Sequence, residues 1–265
     1  TTMELTLKGR NALVGGASRG IGRASAIELA KNGASVAVLA RSLDDLNAVV
    51  AELDTSQGQQ HVALQADMGD HDALVETVDK HVESVGRVHI VVNNTGGPPG
   101  GQLVDSTVEQ LLQAFNNHIL ASHLIMQRVV HGMGEDNYGR LINIISTSVK
   151  QPIFGLGVSN TIRGAMASWA KTLAEELGPK GITVNNVLPG ATATDRLTSI
   201  IERKSSKSDK SKAEVEQELL NEIPARRFGQ PEELGNAVAF LASPAAGYIN
   251  GTSIIVDGGR TRTIS

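Results

Sequence analysis

The chain has 265 residues, of which 40% are hydrophobic and 20% charged, a composition typical of one large globular α/β domain. Its net charge of -4 gives no reason to expect a nucleic-acid partner, and a chain without cysteine has no disulfide, thiolate metal site or cysteine nucleophile. No apolar run approaches the roughly 18 residues of a membrane span, and the N-terminus lacks a signal-peptide core. We therefore expect a cytoplasmic protein without a membrane partner.

Short apolar runs alternate with segments of helical periodicity along most of the chain. The predicted strands are 11–15, 35–40, 61–66, 88–93, 139–145, 182–187 and 253–256. The predicted helices are 20–32, 43–53, 72–85, 107–130, 158–177 and 231–241. Strands that are apolar throughout are typical of a parallel sheet buried on both faces. The alternation predicts an α/β fold, a single-domain doubly wound (Rossmann) sheet of about seven strands over residues 1–265.

One segment, 194–222, breaks this alternation. It contains a run rich in serine and lysine (203–212), followed by an amphipathic run (215–220). It follows a strand end, the place where open α/β sheets bind ligands. We interpret it as a substrate-site lid within the domain, with a basic tip that is merely solvated. The alternative is a solvated surface insertion.

A glycine-rich turn between the first strand and the first helix is the most informative feature. It reads Gly15-Gly16-Ala17-Ser18-Arg19-Gly20-Ile21-Gly22. Glycines let the backbone turn tightly and approach a pyrophosphate, which the amides and dipole of the following helix N-terminus then hold. The turn predicts a dinucleotide site.

Further segments follow the later strands in a fixed order. They are Asp67-Met68, Asn93-Asn94-Thr95-Gly96, Ser146, Pro189-Gly190 and, near the end, Asn250-Gly251 and Val256-Asp257-Gly258-Gly259. Together with the glycine turn they resemble the short-chain dehydrogenase/reductase (SDR) family over nearly the whole chain. Among its members, the 3-oxoacyl-carrier-protein reductases look most similar.

The resemblance implies a set of cofactor-binding residues. Those expected at the pyrophosphate and adenosine ribose are Gly16, Ser18, Arg19, Gly20, Ile21 and Gly22. Those expected at the adenine are Asp67 and Met68, and those beside the ribose are Asn94, Thr95 and Gly96. Those expected at the nicotinamide carboxamide are Pro189, Gly190, Thr192 and Thr194. The alternatives are turn geometry alone for the glycines and a helix N-cap for Asp67.

The end of the second strand favours NADP(H) over NAD(H). An NAD-selective site places a carboxylate there to accept a hydrogen bond from the ribose 2′-hydroxyl. Here that position is Ala40, followed by Arg41, and Arg19 lies in the glycine turn. Two guanidinium groups favour a 2′-phosphate through charge-assisted hydrogen bonds.

The predicted reaction centre departs from the family pattern. Family members reduce a carbonyl with Asn, Ser, Tyr and Lys, in which the phenol, acidified by the ammonium, protonates the alkoxide. Asn117 and Ser146 match the first two, although Asn116 and Ser148 are close alternatives. The tyrosine and lysine positions hold Ser159 and Arg163.

These substitutions exclude the usual mechanism but allow slow turnover. An aliphatic hydroxyl is a weak acid, and an arginine stays protonated, although it can clamp a ribose or an anionic substrate. Loss of a general acid costs about 10²–10⁴-fold in rate. Ser159, Lys150 or a water is left as the proton source. Tyr138 and Tyr248 look structural, and we expect His118 to be a packed or interfacial residue.

Two main functions remain open. The first is an NADP(H)-dependent reductase of a small-molecule carbonyl or acyl thioester. The second is a catalytically inactive dinucleotide-binding homologue that acts as a redox sensor or partner subunit. In the first, Arg163 would anchor the ribose and stabilise the developing alkoxide. A weaker third is a different reaction on an anionic substrate held by Arg163. The resemblance implies a homodimer or homotetramer, and the histidine spacing predicts no metal site.

Overall fold

The computed structural model describes residues 3–264 and contains a seven-stranded parallel sheet in the order β3-β2-β1-β4-β5-β6-β7. The strands are β1 (Asn11–Gly15), β2 (Ser35–Ala40), β3 (Val62–Gln65), β4 (Ile90–Asn93), β5 (Gly139–Ile144), β6 (Ile182–Pro189) and β7 (Ser253–Val256). This order reverses direction between β1 and β4, as in dinucleotide-binding doubly wound sheets. The predicted fold class is confirmed.

Helices cover both faces of the sheet and bury an apolar core on each. They are α1 (Gly20–Lys31), α2 (Leu43–Glu52), α3 (His71–Val85), α4 (Val108–Phe115), α5 (Ala121–Glu135), α6 (Gly157–Leu177), α7 (Asp195–Ser206), α8 (Lys212–Asn221) and α9 (Pro231–Ala242). One core lies under α1, α2 and α9, and the other lies under α3, α5 and α6. Nowhere in residues 3–264 does a helix combine the length and apolarity that a bilayer crossing requires.

The helix predicted over 107–130 differs from the observed structure. It is interrupted by a π-helical turn, Asn116–Leu120, between α4 and α5, and α5 continues to Glu135. A π turn rotates the side chains that follow it and is frequent at functional sites. The side chains of Asn117 and His118 therefore point in directions that a regular α-helix would not give them.

The segment 194–222 is more ordered than its composition suggests. It forms α7 and α8, which pack through a small apolar cluster of Leu197, Ile201, Val215 and Leu219. Capping groups fix α8, because the Ser211 hydroxyl accepts from the Glu214 amide. The exposed tip is residues 207–211, whereas the earlier part of the basic run belongs to α7.

Candidate functional site

A large cleft opens at the carboxyl ends of the strands, across the point where the strand order reverses. Its volume is about 1740 Å³, larger than the 300–1,000 Å³ or so of a site for one small molecule. All but one of the residues predicted for cofactor binding or catalysis line it. The exception is Gly22.

Asn94 fixes the glycine turn from the neighbouring strand end. Its side-chain amide donates to the backbone oxygens of Gly15 (3.2 Å) and Gly16 (3.3 Å). Gly16 has a φ of 56°, and a Cβ there would lie 2.7 Å from that amide nitrogen. Gly16 therefore needs to be glycine for both its conformation and its contact with Asn94.

Gly22 contributes packing rather than a cleft surface. A Cβ at this position would lie 2.2 Å from the backbone oxygen of Gly16, so only glycine lets α1 approach the turn this closely. Gly22 lies behind the turn, which is why it does not line the cleft. Close packing of helix and strand is the usual reason for the last glycine of such a turn.

The N-terminus of α1 faces the cleft without a side-chain cap. Its N-cap residue is Arg19, which makes no side-chain capping bond, whereas Ser42 and Asp70 cap α2 and α3. The first amides of α1 are therefore available to an external acceptor, and the helix dipole favours an anion. A pyrophosphate fits this position.

Two exposed arginines flank this end of the cleft. Arg19 lies 3.4 Å from the carboxylate of Asp195, and Arg41 lies 4.0 Å from that of Asp67. Such exposed ion pairs are weak, so both guanidinium groups are able to exchange partners with an incoming phosphate. The other Asp67 oxygen accepts from the Gly69 amide at 2.9 Å, and Asp70 rather than Asp67 caps α3.

At the opposite end, Ser146, Ser159 and Arg163 line the cleft together. The Ser146 oxygen accepts from the Ser148 amide at 3.1 Å, which leaves its own proton free to donate. Ser146 and Asn117 line the cleft, whereas their close alternatives Ser148 and Asn116 do not. Asn117 turns its side-chain oxygen toward Gly69, 2.9 Å from where a Cβ would lie.

Arg163 is buried without an acidic partner. It is 8% exposed, donates to the Ile144 carbonyl at 3.0 Å, and leaves its Nε without a hydrogen bond. Burial, together with the charge of Arg196, lowers the pKa of Arg163 to about 10, so it remains a cation at neutral pH. An unpaired buried cation is costly and signals a missing anionic or polar partner.

His118 is buried beside Arg163, in agreement with the expectation of a packed residue. Burial and the Arg163 charge lower the pKa of His118 to about 3, although a hydrogen bond to the Gly96 backbone raises it somewhat. His118 is therefore neutral at physiological pH. It does not line the cleft.

Neither tyrosine of the chain lines the cleft. Tyr138 is buried and donates its hydroxyl to the Ala242 carbonyl, and Tyr248 is fully exposed. Lys150 also lies outside the cleft lining. Of the proton sources considered from the sequence, Ser159 and water are the two that the cleft geometry accommodates.

Four cleft arginines were not predicted from the sequence, and two of them lie near Arg163. Arg196 and Arg203 belong to α7 and line the end of the cleft that contains Arg163. The basic run was expected to be merely solvated, but Arg203 is half-buried against Gly100. Their spacing of seven residues places them on one face of a helix, a signal visible in the sequence once α7 is recognised.

The sheet order, the glycine turn and the cleft at the strand ends define a Rossmann-type dinucleotide-binding protein. A family model described as enoyl-(acyl carrier protein) reductase matches residues 16–261. With the relatives described next, this match places the chain in the SDR family of oxidoreductases.

Curated relatives span almost the whole chain. The NADPH-dependent reductase BacG of Bacillus subtilis is 31% identical over 256 residues, 96% of this chain and 99% of that protein. The 3-oxoacyl-[acyl-carrier-protein] reductase FabG of Staphylococcus epidermidis is 34% identical over 253 residues, 94% and 98% of the two chains. Among solved structures, L-sorbose reductase from Gluconobacter frateurii, complexed with NADPH and L-sorbose, superposes with a TM-score of 0.92 at 28% identity. The match covers 99% of this chain and 100% of that chain.

Proposed function

We propose that the protein is an NADP(H)-dependent oxidoreductase that reduces a carbonyl with a non-standard active centre. The observation that carries this proposal is the convergence of six strand ends, those of β1 to β6, on one cleft whose uncapped helix N-terminus is flanked by Arg19 and Arg41. The NADPH-dependent relatives support the choice of coenzyme.

The cleft residues fit the coenzyme in chemical type. The glycine turn and the α1 amides would hold the pyrophosphate, and Arg19 and Arg41 would hold the 2′-phosphate. Asp67 keeps an oxygen directed away from its turn hydrogen bond, available to the adenine amine. The residues after β4 and β6 would meet the ribose and carboxamide: Asn94, Thr95, Gly96, Pro189, Gly190, Thr192 and Thr194.

Bound NADPH would supply a hydride to the carbonyl carbon. The Ser146 hydroxyl would donate to the carbonyl oxygen, and the Arg163 cation would stabilise the developing negative charge from its low-dielectric position. Ser159 or a water that it orients would deliver the proton. Because no phenol is available in the cleft, protonation is expected to be the slow step.

For the substrate, we propose a small-molecule carbonyl or a 3-oxoacyl thioester. The similarity to FabG supports testing thioesters first. We propose that α7 and α8 act as the lid of this site, since Asp195 contacts Arg19 on one rim and Arg196 donates to the Pro98 carbonyl (2.9 Å) on the other. We also propose a homodimer or homotetramer.

A catalytically inactive coenzyme-binding subunit is the second candidate. It is favoured by one observation, the placement of Ser159 and Arg163 in the cleft while both tyrosines lie elsewhere. In this case the protein would act as a redox sensor or as a partner of an active subunit.

A rate assay separates the two candidates. NADPH oxidation is followed with 3-oxoacyl thioesters for the wild type and for the double variant Ser159→Tyr/Arg163→Lys. An enzyme gives slow turnover that the double variant accelerates about 10²-fold or more, by restoring a general acid. Coenzyme binding without oxidation in either protein, across several carbonyl classes, would support the inactive subunit and overturn the reductase.

A further inference from the structure

The cleft is strongly cationic in a protein of net negative charge. Nine arginine and lysine side chains line it, against four aspartates and glutamates, although the chain as a whole has a formal charge of -4. Four of the cations have an acidic partner within 4.0 Å: Arg19, Arg23, Arg41 and Arg260. Such an excess of one sign raises the local concentration of oppositely charged ligands.

Within the part of the chain that the structure describes, five cleft cations have no acidic partner: the exposed Lys204 and Lys207, and three arginines that lie near one another. Among residues 3–264, no carboxylate lies within 4.0 Å of the side-chain nitrogens of Arg163, Arg196 or Arg203. The charge of Arg196 lowers the pKa of Arg163, and burial, followed by the charge of Arg203, lowers the pKa of Arg196. Three like charges thus repel each other in one place, which a bound anion would relieve.

The loop after β4 is shaped around these guanidinium groups. A Cβ on Gly97 would lie 3.3 Å from Nη2 of Arg196 and 3.8 Å from Nη2 of Arg163. A Cβ on Gly100 would lie 2.5 Å from Nη2 of Arg203. Glycine at both positions lets the guanidinium groups pack against this loop, and Arg196 is oriented by its bond to the Pro98 carbonyl.

We propose that Arg163, Arg196 and Arg203 form a clamp for an anionic oxygen group of the substrate, a carboxylate or a phosphoryl group, carried by the molecule whose carbonyl is reduced. The clamp rests on the proposed reductase function, because it assigns the substrate class of that same site. Arg163 is 8% exposed, and its buried Nε has no hydrogen-bond partner. Planar guanidinium groups bind such oxygens through paired hydrogen bonds.

The clamp favours oxo acids over neutral ketones. Arg163 is buried, Arg203 is half-buried and Arg196 is exposed, so the three arginines are reachable by an anion that enters from solvent. Since Ser146 and Arg163 line the same end, the anionic group would bind close to the reacting carbonyl. A substrate whose anionic group and reacting carbonyl are separated by a few bonds matches this arrangement.

Calorimetry in the presence of excess NADP⁺ tests the clamp without any need for turnover, because the coenzyme then occupies the proposed phosphate site at the α1 N-terminus. The probes are malonate, inorganic phosphate and the neutral analogue malonamide, and the variants are Arg196→Gln and Arg203→Gln. Arg262→Gln is the control, since Arg262 is exposed and lies outside the cleft. We expect malonate or phosphate to bind, malonamide not to bind, and each clamp variant to weaken the anion about 10-fold or more. The tighter of the two anions identifies the group.

A second experiment tests the substrate class. NADPH oxidation is compared for 3-oxo and 4-oxo carboxylic acids and their methyl esters, and for dihydroxyacetone phosphate and dihydroxyacetone. We expect the anionic member of a pair to be preferred, and the preference to fall in Arg196→Gln and Arg203→Gln but return with Arg203→Lys.

The clamp would be overturned if Arg196→Gln and Arg203→Gln bound malonate and phosphate as tightly as the wild type does. It would also be overturned if Arg262→Gln lost as much anion affinity as they do, or if the methyl esters reacted as well as their acids. It would also be overturned if the clamp variants weakened NADPH as strongly as malonate, since the arginines would then serve the coenzyme. Failure of NADPH to bind at all would instead refute the proposed function, and the malonate titrations would still decide whether the anion site exists.

Discussion

Charged side chains in the cleft differ in how much water surrounds them, and this sets what each is able to do. The side chains of Arg19 and Arg41 are 71% and 78% exposed, so their ion pairs are screened and exchangeable. Arg163, by contrast, is 8% exposed and keeps its charge without an acidic partner. Exposed arginines suit a coenzyme that comes and goes, whereas a buried one suits charge stabilisation.

The coenzyme preference depends on an exposed arginine. Replacing Arg41 with alanine removes a charge-assisted contact to a 2′-phosphate that NADH lacks. We expect the dissociation constant for NADPH to rise about 10-fold and that for NADH to stay within a factor of about two. Fluorescence titration with both coenzymes measures this. An equal loss for the two would show that Arg41 does not read the 2′-phosphate.

The stability of the folded chain in acid depends on His118. Its pKa is about 3 in the folded chain, against about 6.5 when unfolded, so the unfolded state alone takes up a proton between these values. Stability is therefore fully present above pH 6.5 and falls as the pH drops toward 3, by up to about 1.4 kcal/mol per pH unit from this group.

The variant His118→Gln should flatten this part of the stability profile. Urea unfolding at several pH values between 6.5 and 4 measures the slope for each protein. His131→Gln is the matched control, because the side chain of His131 is 89% exposed. A slope that is the same in wild type and His118→Gln would contradict the assignment.

At the scale of elements, the glycine turn and α1 act as one unit. Gly22→Ala would place a methyl group 2.2 Å from the Gly16 oxygen, against backbone that has little freedom to move. We expect a loss of about 1–3 kcal/mol in unfolding free energy and a larger loss of NADPH affinity, since the turn and the α1 amides would shift. Thermal melts with and without NADPH measure both effects.

The control for this change is Gly164→Ala on α6, where a Cβ would meet nothing within 4 Å. There the same substitution should stabilise the helix by about 0.5–1 kcal/mol. Wild-type stability and coenzyme affinity in Gly22→Ala would show that close approach at Gly22 is not required.

Elements with strong periodicity were predicted well from the sequence. The bounds of β1, β2 and β7 agree with prediction residue for residue, because apolar runs between glycine and polar turns leave little choice. The π turn and α7 were not predicted. A π turn depends on how the helix packs, and the polar composition of 203–212 hides a helix held by a few apolar residues such as Leu197 and Ile201.

The site residues that could be predicted are likewise those whose positions follow from regular strands. Residues tied to strand ends, such as Asp67, Asn94 and Ser146, could be assigned because parallel strands end at one edge of the sheet. Arg196 and Arg203 enter from a helix that crosses the cleft from one side. Their convergence with Arg163 is a tertiary property that strand order alone does not indicate.

At the scale of the whole molecule, α4 and the turn before it leave an apolar surface uncovered. Five large apolar side chains there are exposed: Leu103, Val104, Val108, Leu112 and Phe115. Several exposed apolar side chains on one helix and the turn before it suit an interaction surface. We expect it to be covered in the proposed homo-oligomer.

Sedimentation velocity of the wild type and of Leu112→Glu tests this assembly. We expect a dimer or tetramer for the wild type and a smaller species for the variant, because a charge at the patch is costly to bury. The control is Val62→Glu, an exposed apolar residue on the edge strand β3. A monomeric wild type, or the same oligomer in all three proteins, would contradict the role of this surface.

Isothermal titration calorimetry of the wild-type protein with NADPH and with NADH tests the central claim most directly. The uncapped α1 N-terminus and the arginines at positions 19 and 41 predict saturable, one-to-one NADPH binding, at least about 10-fold tighter than NADH binding. Absence of heat with either coenzyme, or tighter binding of NADH, would contradict the account.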